Sequence, residues 1–210
     1  MSGRSLFVVG TRTFAAEVLD FARAAGFEPA GLLEPREEDK PGTEVHDLPV
    51  RWLDDSEPPS ADALAIVGTG DSRRDEVTSR LRARGWPLAT IVHPDARVST
   101  TSAVGEGAIV APGVVVGAMS SIGDGAVIGR GALVGHHTTI AELATLSPGA
   151  NVAGNTAVGR EAFIGMGALV RDHVRVGPGA VVAMGAVVVG DVESGIEVRG
   201  VPARPRGERR

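Results

Sequence analysis

The side chains best suited to moving protons in this chain are five histidines, and none of its 210 residues is a cysteine. The lack of cysteine excludes a thiol nucleophile, a disulfide and a thiolate-held zinc. Two histidines, His136 and His137, are adjacent and follow Val134-Gly135. An imidazole titrates near neutral pH, so it can take a proton from an amine or hydroxyl as that group attacks an electrophile. His173 lies further along, His46 falls in an acidic stretch and reads as surface, and His93, before Pro94, reads as a structural hydrogen-bonding residue. A second group of candidates stands where aliphatic runs end: Gly10-Thr11, Glu34, and Gly68-Thr69-Gly70. Backbone N–H groups at such strand ends, beside a helix start, can approach a phosphate, and Glu34 can accept from a ribose or a base. The segment GTRTFA at Gly10 lacks the second and third glycines of a dinucleotide fingerprint. It therefore points to a nucleotide or nucleotide-sugar site rather than to NAD.

The histidine pair sits inside a repeat. From Val98 to Val188 every sixth residue is Val, Ile or Leu, sixteen positions without a break. The fourth residue after each is small or β-branched, and the residue directly after is Gly in eight of the sixteen. A strict period of six does not match 3.6 residues per turn, which excludes helix. It reads as a solenoid of short strands joined by tight corners. The aliphatic residue points inward and stacks on its counterpart, the small residue lets the corner close, and the glycine relieves backbone strain. Composition agrees: 43% hydrophobic but 3% aromatic, with 29 glycines, suits thin regular layers.

Residues 1–95 follow another pattern. Apolar runs at 6–9, 30–34, around Val50, 63–67 and 89–92 alternate with helical spacing over 14–25 and 73–84. This series predicts a small parallel α/β domain, with an acidic, proline-rich loop over 35–59. The expected organisation is an α/β acceptor-binding domain over 1–95, a solenoid over 96–198 and a basic tail over 199–210, where five arginines face only Glu208. The net charge is −5 and no basic stripe precedes the tail, which argues against nucleic acid as partner. No run of 18 apolar residues and no secretory leader is visible, so a cytoplasmic protein without membrane contact is expected.

Several segments carry a family resemblance: Ile91-Val92-His93-Pro94-Asp95-Ala96 running into the repeat, the segment IVGTGDSR at 66–73, the glycine after the first strand, and the ending Arg199-Gly200-Val201-Pro202-Ala203-Arg204. With the repeat, these resemble the bacterial sugar O- and N-acyltransferases, which include sialic acid O-acetyltransferases and N-acetyltransferases of UDP-4-amino sugars. The resemblance implies a Rossmann-like N-terminal domain and a left-handed parallel β-helix with three hexapeptides per coil. The right-handed crossover rule alone would give the opposite hand. It also implies acetyl-CoA as co-substrate, a nucleotide-linked amino sugar as acceptor, no metal, and a homotrimer with sites between neighbours. His136 falls on the family's catalytic base. Gly154, one 18-residue coil further, falls on the glycine whose N–H holds the acyl oxygen. Arg204 belongs to an ending shared by many acetyl-CoA enzymes.

Two departures stand out. His137 occupies the place of an acidic residue that orients the base in many relatives, and Thr145 replaces a second family histidine. Asp172 and Glu142 are candidate substitutes for the missing groups, by proximity in repeat geometry alone. Two other classes compete with acyl transfer. One is a non-catalytic nucleotide-sugar scaffold. The other is a zinc enzyme of the γ-carbonic anhydrase type, but His137 and His173 would lie two coils apart, roughly 10 Å at strand spacing, too far to share one ion within a chain.

Overall fold

The computed structural model describes residues 4–37, 39–70 and 73–206. The chain divides into two compact units between His93 and Pro94, two residues before the expected boundary.

The first unit holds β1 (Arg4–Val9), α1 (Thr13–Ala24), β2 (Phe27–Glu34), β3 (Glu44–Val45), β4 (Leu48–Trp52), β5 (Leu64–Val67) and α2 (Arg74–Ala83). Its sheet order is β3-β4-β2-β1-β5, parallel except for the β3–β4 hairpin. That hairpin lies inside the stretch expected to be mostly loop. Leu6, Phe7, Val8 and Val9 of β1 are all buried, the continuous apolar run of a central parallel strand. Val18, Leu19 and Ala22 do share the buried face of α1, joined by Ala15 and Phe21. Gly26, at φ +82, closes α1 with its N–H on the Arg23 carbonyl. Because β2 and β5 flank β1 on opposite sides, the sheet changes direction there, and a crevice opens beyond the strand ends.

The second unit is a β-solenoid. Strands of two residues pair in parallel with a register of 18 residues, as in Val115↔Leu133, Leu133↔Asn151 and Asn151↔Leu169. Three hexapeptides therefore complete one coil, and three sheets form its faces. The aliphatic series points inward: Ile128, Ile140, Leu146 and Ile164 have no exposure at all. The residue four places later is buried as well, as at Ala126, Ala132 and Ala144.

The role expected for the glycine after each aliphatic residue needs correction. It does not relieve backbone strain. A Cβ on Gly135 would lie 2.3 Å from the Gly154 nitrogen and one on Gly117 2.7 Å from the His136 nitrogen, so these glycines make room for the next coil. The left-handed backbone falls two residues later, at Met119, His137, Leu143, Asn155, Glu161 and His173 among others. The positive φ of His137 is thus a property of the repeat and not strain peculiar to a site.

The coil shortens at its end. Val181 pairs with Glu197 and Val176 bridges to Val192, sixteen residues apart instead of eighteen. The expected separate tail is not separate over its described residues: Glu197–Arg199 pairs antiparallel with Arg204–Pro205, and Arg206 reaches Glu197 at 2.9 Å. Residues 207–210 lie outside the described residues.

Candidate active site

One of the solenoid's three corners carries the adjacent histidine pair. It is built by residues 117–120, 135–138, 153–156 and 171–174, stacked one per coil. Both imidazoles of the pair are exposed there. Their Nδ1 atoms are 3.1 Å apart and their rings stand nearly perpendicular at 87°. Such a contact needs one donor and one acceptor, so the pair shares a single proton between its Nδ1 atoms.

Gly154 lies against the next coil's face of His136. A Cβ on Gly154 would fall 2.8 Å from Cε1 and 2.9 Å from Nε2 of that ring. Any side chain at 154 would displace the imidazole. The sequence carries a signal for this that a count of glycines misses. Gly154 stands two places after its aliphatic residue, a place where the other hexapeptides of the series carry no glycine except Gly190 at the shortened end of the solenoid. The repeat does not require glycine there; the ring does. Among the described residues the Gly154 N–H has no intrachain acceptor, while its carbonyl accepts from the His173 N–H at 3.2 Å.

Neither carboxylate considered as a partner for His136 reaches it within the chain. The Asp172 carboxylate receives Nδ1 of His173 at 2.9 Å, and that imidazole holds the Asp172 carboxyl below its ordinary range. Glu142 pairs with Arg160 at 2.5 Å. The contact to Nδ1 of His136 comes from His137 instead. Thr145 belongs to a face strand, Thr145–Leu146, and not to the histidine corner. Arg204 lies beside a hollow of about 530 Å³ at the shortened end of the solenoid, with Asp191, Glu193 and Ile196. Among the described residues no group of three or more His, Asp and Glu is placed to hold a metal ion.

The first unit gathers the other candidates. Gly10, Thr11, Glu34, Gly68, Thr69 and Gly70 line one cavity of about 320 Å³. Glu34 is buried and engaged: Oε2 accepts from the Thr11 hydroxyl at 2.6 Å and Oε1 from the N–H groups of Arg36 and Glu37 at 2.8 and 3.1 Å. It holds the loop after β2 in shape. Gly10 and Gly68 direct their N–H groups to Leu33 and Val9, so those donors belong to the sheet. A Cβ on Gly68 would meet Val8 at 2.7 Å and the Ala15 Cα at 3.3 Å, which makes this glycine a packing requirement beneath α1. The Thr69 hydroxyl is buried and has no hydrogen-bond partner among the described residues. Sequence reading missed the arginines of this cavity, Arg12, Arg36 and Arg73. Arg12 binds Glu37, and its guanidinium holds that carboxyl below the ordinary range. The signal was a cation within three residues of each strand-end motif.

No protein-family model and no curated protein matches the chain. Solved structures do. PerB from Caulobacter crescentus, in complex with CoA and GDP-perosamine, is 33% identical with a TM-score of 0.89, covering 97% of each chain. The acetyltransferase domain of PglB from Neisseria gonorrhoeae is 32% identical with a TM-score of 0.88, over 97% of this chain and all of that one. WeeI from Acinetobacter baumannii is 26% identical with a TM-score of 0.86. A two-unit chain that matches sugar N-acetyltransferases over nearly its whole length, with a hexapeptide solenoid as its second unit, belongs to the left-handed β-helix family of bacterial sugar acyltransferases.

Proposed function

We propose that this protein transfers an acetyl group from acetyl-CoA to the amine of a nucleotide-linked amino sugar, with His136 as general base. The observation that carries the reading is the His136 imidazole packed on Gly154, in a chain similar over 97% of its length to a protein solved with CoA and GDP-perosamine.

The reaction runs by direct attack. The amine lone pair adds to the thioester carbonyl carbon, and the carbonyl π pair moves onto oxygen. The Gly154 N–H donates to that oxyanion. Nε2 of His136 removes a proton from the attacking nitrogen. Collapse breaks the C–S bond, and the proton held by His136 passes to the departing sulfur, leaving the amide and CoA. For Nε2 to be bare at the start, Nδ1 of His136 must carry its hydrogen, so Nδ1 of His137 must be the acceptor. His137 thus holds the tautomer as a carboxylate would, without the negative charge that stabilises an imidazolium.

The first unit holds the acceptor's nucleotide part in the cavity at the β1 and β5 ends, where Arg36 and Arg73 supply positive charge. Arg204 contributes to CoA binding, and the working species is a homotrimer. The test is coenzyme A release across GDP-, UDP- and dTDP-linked 4-amino sugars, with free amines as controls. Release with one nucleotide-linked amine and none with free amines is expected. Equal turnover of free amines would overturn the acceptor assignment, and a monomer in light scattering would overturn the trimer.

A further inference from the structure

The histidine corner differs from the other two corners in how its turns are closed. At the alanine-lined corners the N–H of the inward small residue bonds to the carbonyl three residues back, as in Ala126 to Gly123, Ala144 to Ala141, Ala132 to Gly129 and Ala150 to Ser147, at 3.1 to 3.3 Å. At the histidine corner the inward residues are Ser102, Ser120, Thr138, Thr156 and Val174, and the four turns ending at the last four of these lack that bond among the described residues. A hydroxyl from the preceding coil stands in each gap. Ser102 Oγ donates to the Gly117 carbonyl at 2.7 Å and accepts the Ser120 N–H at 2.9 Å. Ser120 Oγ donates to the Gly135 carbonyl at 2.8 Å and accepts the Thr138 N–H at 3.1 Å. Thr138 Oγ1 donates to the Ala153 carbonyl at 3.0 Å and accepts the Thr156 N–H at 3.5 Å.

The Ala153 carbonyl and the Gly154 N–H belong to one planar trans peptide and point in opposite directions. A hydroxyl fixed on the carbonyl therefore sets the direction of the N–H, and a hydrogen bond at one end of a peptide strengthens the donor at the other. From this geometry we infer that Thr138 is a positioning residue for acyl transfer: its hydroxyl holds the Ala153–Gly154 peptide so that the Gly154 N–H meets the thioester oxygen. Ser120 acts the same way on the Gly135–His136 peptide, one coil earlier. The inference rests on the acetyltransferase reading above and adds residues to it that touch neither substrate.

Thr138→Val removes the hydroxyl and leaves a side chain the repeat accepts, since Val114 and Val174 occupy the same hexapeptide place and are buried. Without the hydroxyl, the Thr156 N–H can close onto the Ala153 carbonyl, as at the other corners, and the peptide turns. Calorimetry with acetyl-CoA and with CoA needs no acceptor. Thr138→Val should lose about three- to tenfold in acetyl-CoA affinity, the worth of one hydrogen bond, and keep its CoA affinity. With an acceptor identified by the CoA-release screen, kcat should fall roughly 10²-fold. The pH profile should keep its shape, because the base is untouched. Thr138→Ser should restore both readouts to within about threefold of the parent. Equal discrimination between acetyl-CoA and CoA in the parent and in Thr138→Val, with a matching melting temperature, would overturn the inference. Parallel loss of CoA and acetyl-CoA affinity would overturn it too, as a collapse of the corner. A parent that binds no acetyl-CoA would instead sink the acetyltransferase reading, and a fully active His136→Ala would sink the assignment of His136 as its base.

Discussion

In the first unit a crevice forms because strands of four to eight residues end at different places around β1, and each polar group there has its own local cause. Glu34 is pinned by one hydroxyl and two amides, Gly68 by the helix above it, Arg12 by Glu37. In the solenoid one strand repeats at intervals of 18 residues, and a group is placed by its column. His136, Gly154 and Asp172 stack because they share a hexapeptide position. The contrast shows two ways to hold a polar group against solvent. The irregular unit uses side-chain contacts that can be removed singly. The regular unit uses the stacking of its coils, so its site is defined by what interrupts the repeat: a glycine beneath the imidazole and hydroxyls where alanine is the rule.

The largest effect that would separate the two units is chemical. His136→Ala should cut kcat/KM by roughly 10²–10⁴ with acetyl-CoA still bound, the range for loss of a general base. His137→Ala should cost less, since it removes a neutral acceptor and not the base. If His137→Ala proves worse in a folded protein, the two roles must be exchanged. An acceptor amine already unprotonated at high pH should make the His136→Ala defect shrink as pH rises, which a pH–rate series would read.

Next in size is a change of packing in each unit. Leu146→Ala empties a position with no exposure in the solenoid core and should cost about 2–5 kcal/mol, read by thermal unfolding. Gly68→Leu should be at least as damaging in the first unit, because its side chain would meet Val8 and the backbone of α1. That variant tests folding, so a test of acceptor binding belongs to the arginines. Arg73→Ala should raise the acceptor KM about tenfold and leave the KM for acetyl-CoA alone. Equal effects on both would show that the cavity serves the fold only.

The smallest expected effect is on acid stability. Arg80 holds the Asp54 carboxyl below its ordinary value of 3.8 through paired contacts at 3.1 and 2.6 Å. A carboxyl whose folded pKa is depressed stabilises the fold above the unfolded value and loses that contribution as pH falls through the folded one. The parent should therefore lose stability relative to Asp54→Asn as pH drops below about 3.8, with the gap between them constant at neutral pH. An unchanged gap across the acid range would remove Asp54 from this account.

Period and composition in the sequence were enough to predict a solenoid and an α/β unit before it, while the pairing of His136 with position 154 followed from the three-hexapeptide coil that the family resemblance implies. The solenoid and the α/β unit depend on the chain's own spacing, and spacing is written in the residues. The helix face of α1 and the inward aliphatic series follow from the same local rule, that apolar side chains leave water on one side of a regular element. What only the tertiary structure decided was which polar groups meet. The hydrogen bond between two imidazoles, the diversion of Asp172 to His173 and of Glu142 to Arg160, and the Thr11–Glu34 clasp depend on rotamers and loop paths that no residue specifies alone. The glycine after each aliphatic residue shows the same division. Its presence was legible, but its reason, the backbone of the next coil lying within 3 Å of an absent Cβ, exists only once the coils are stacked.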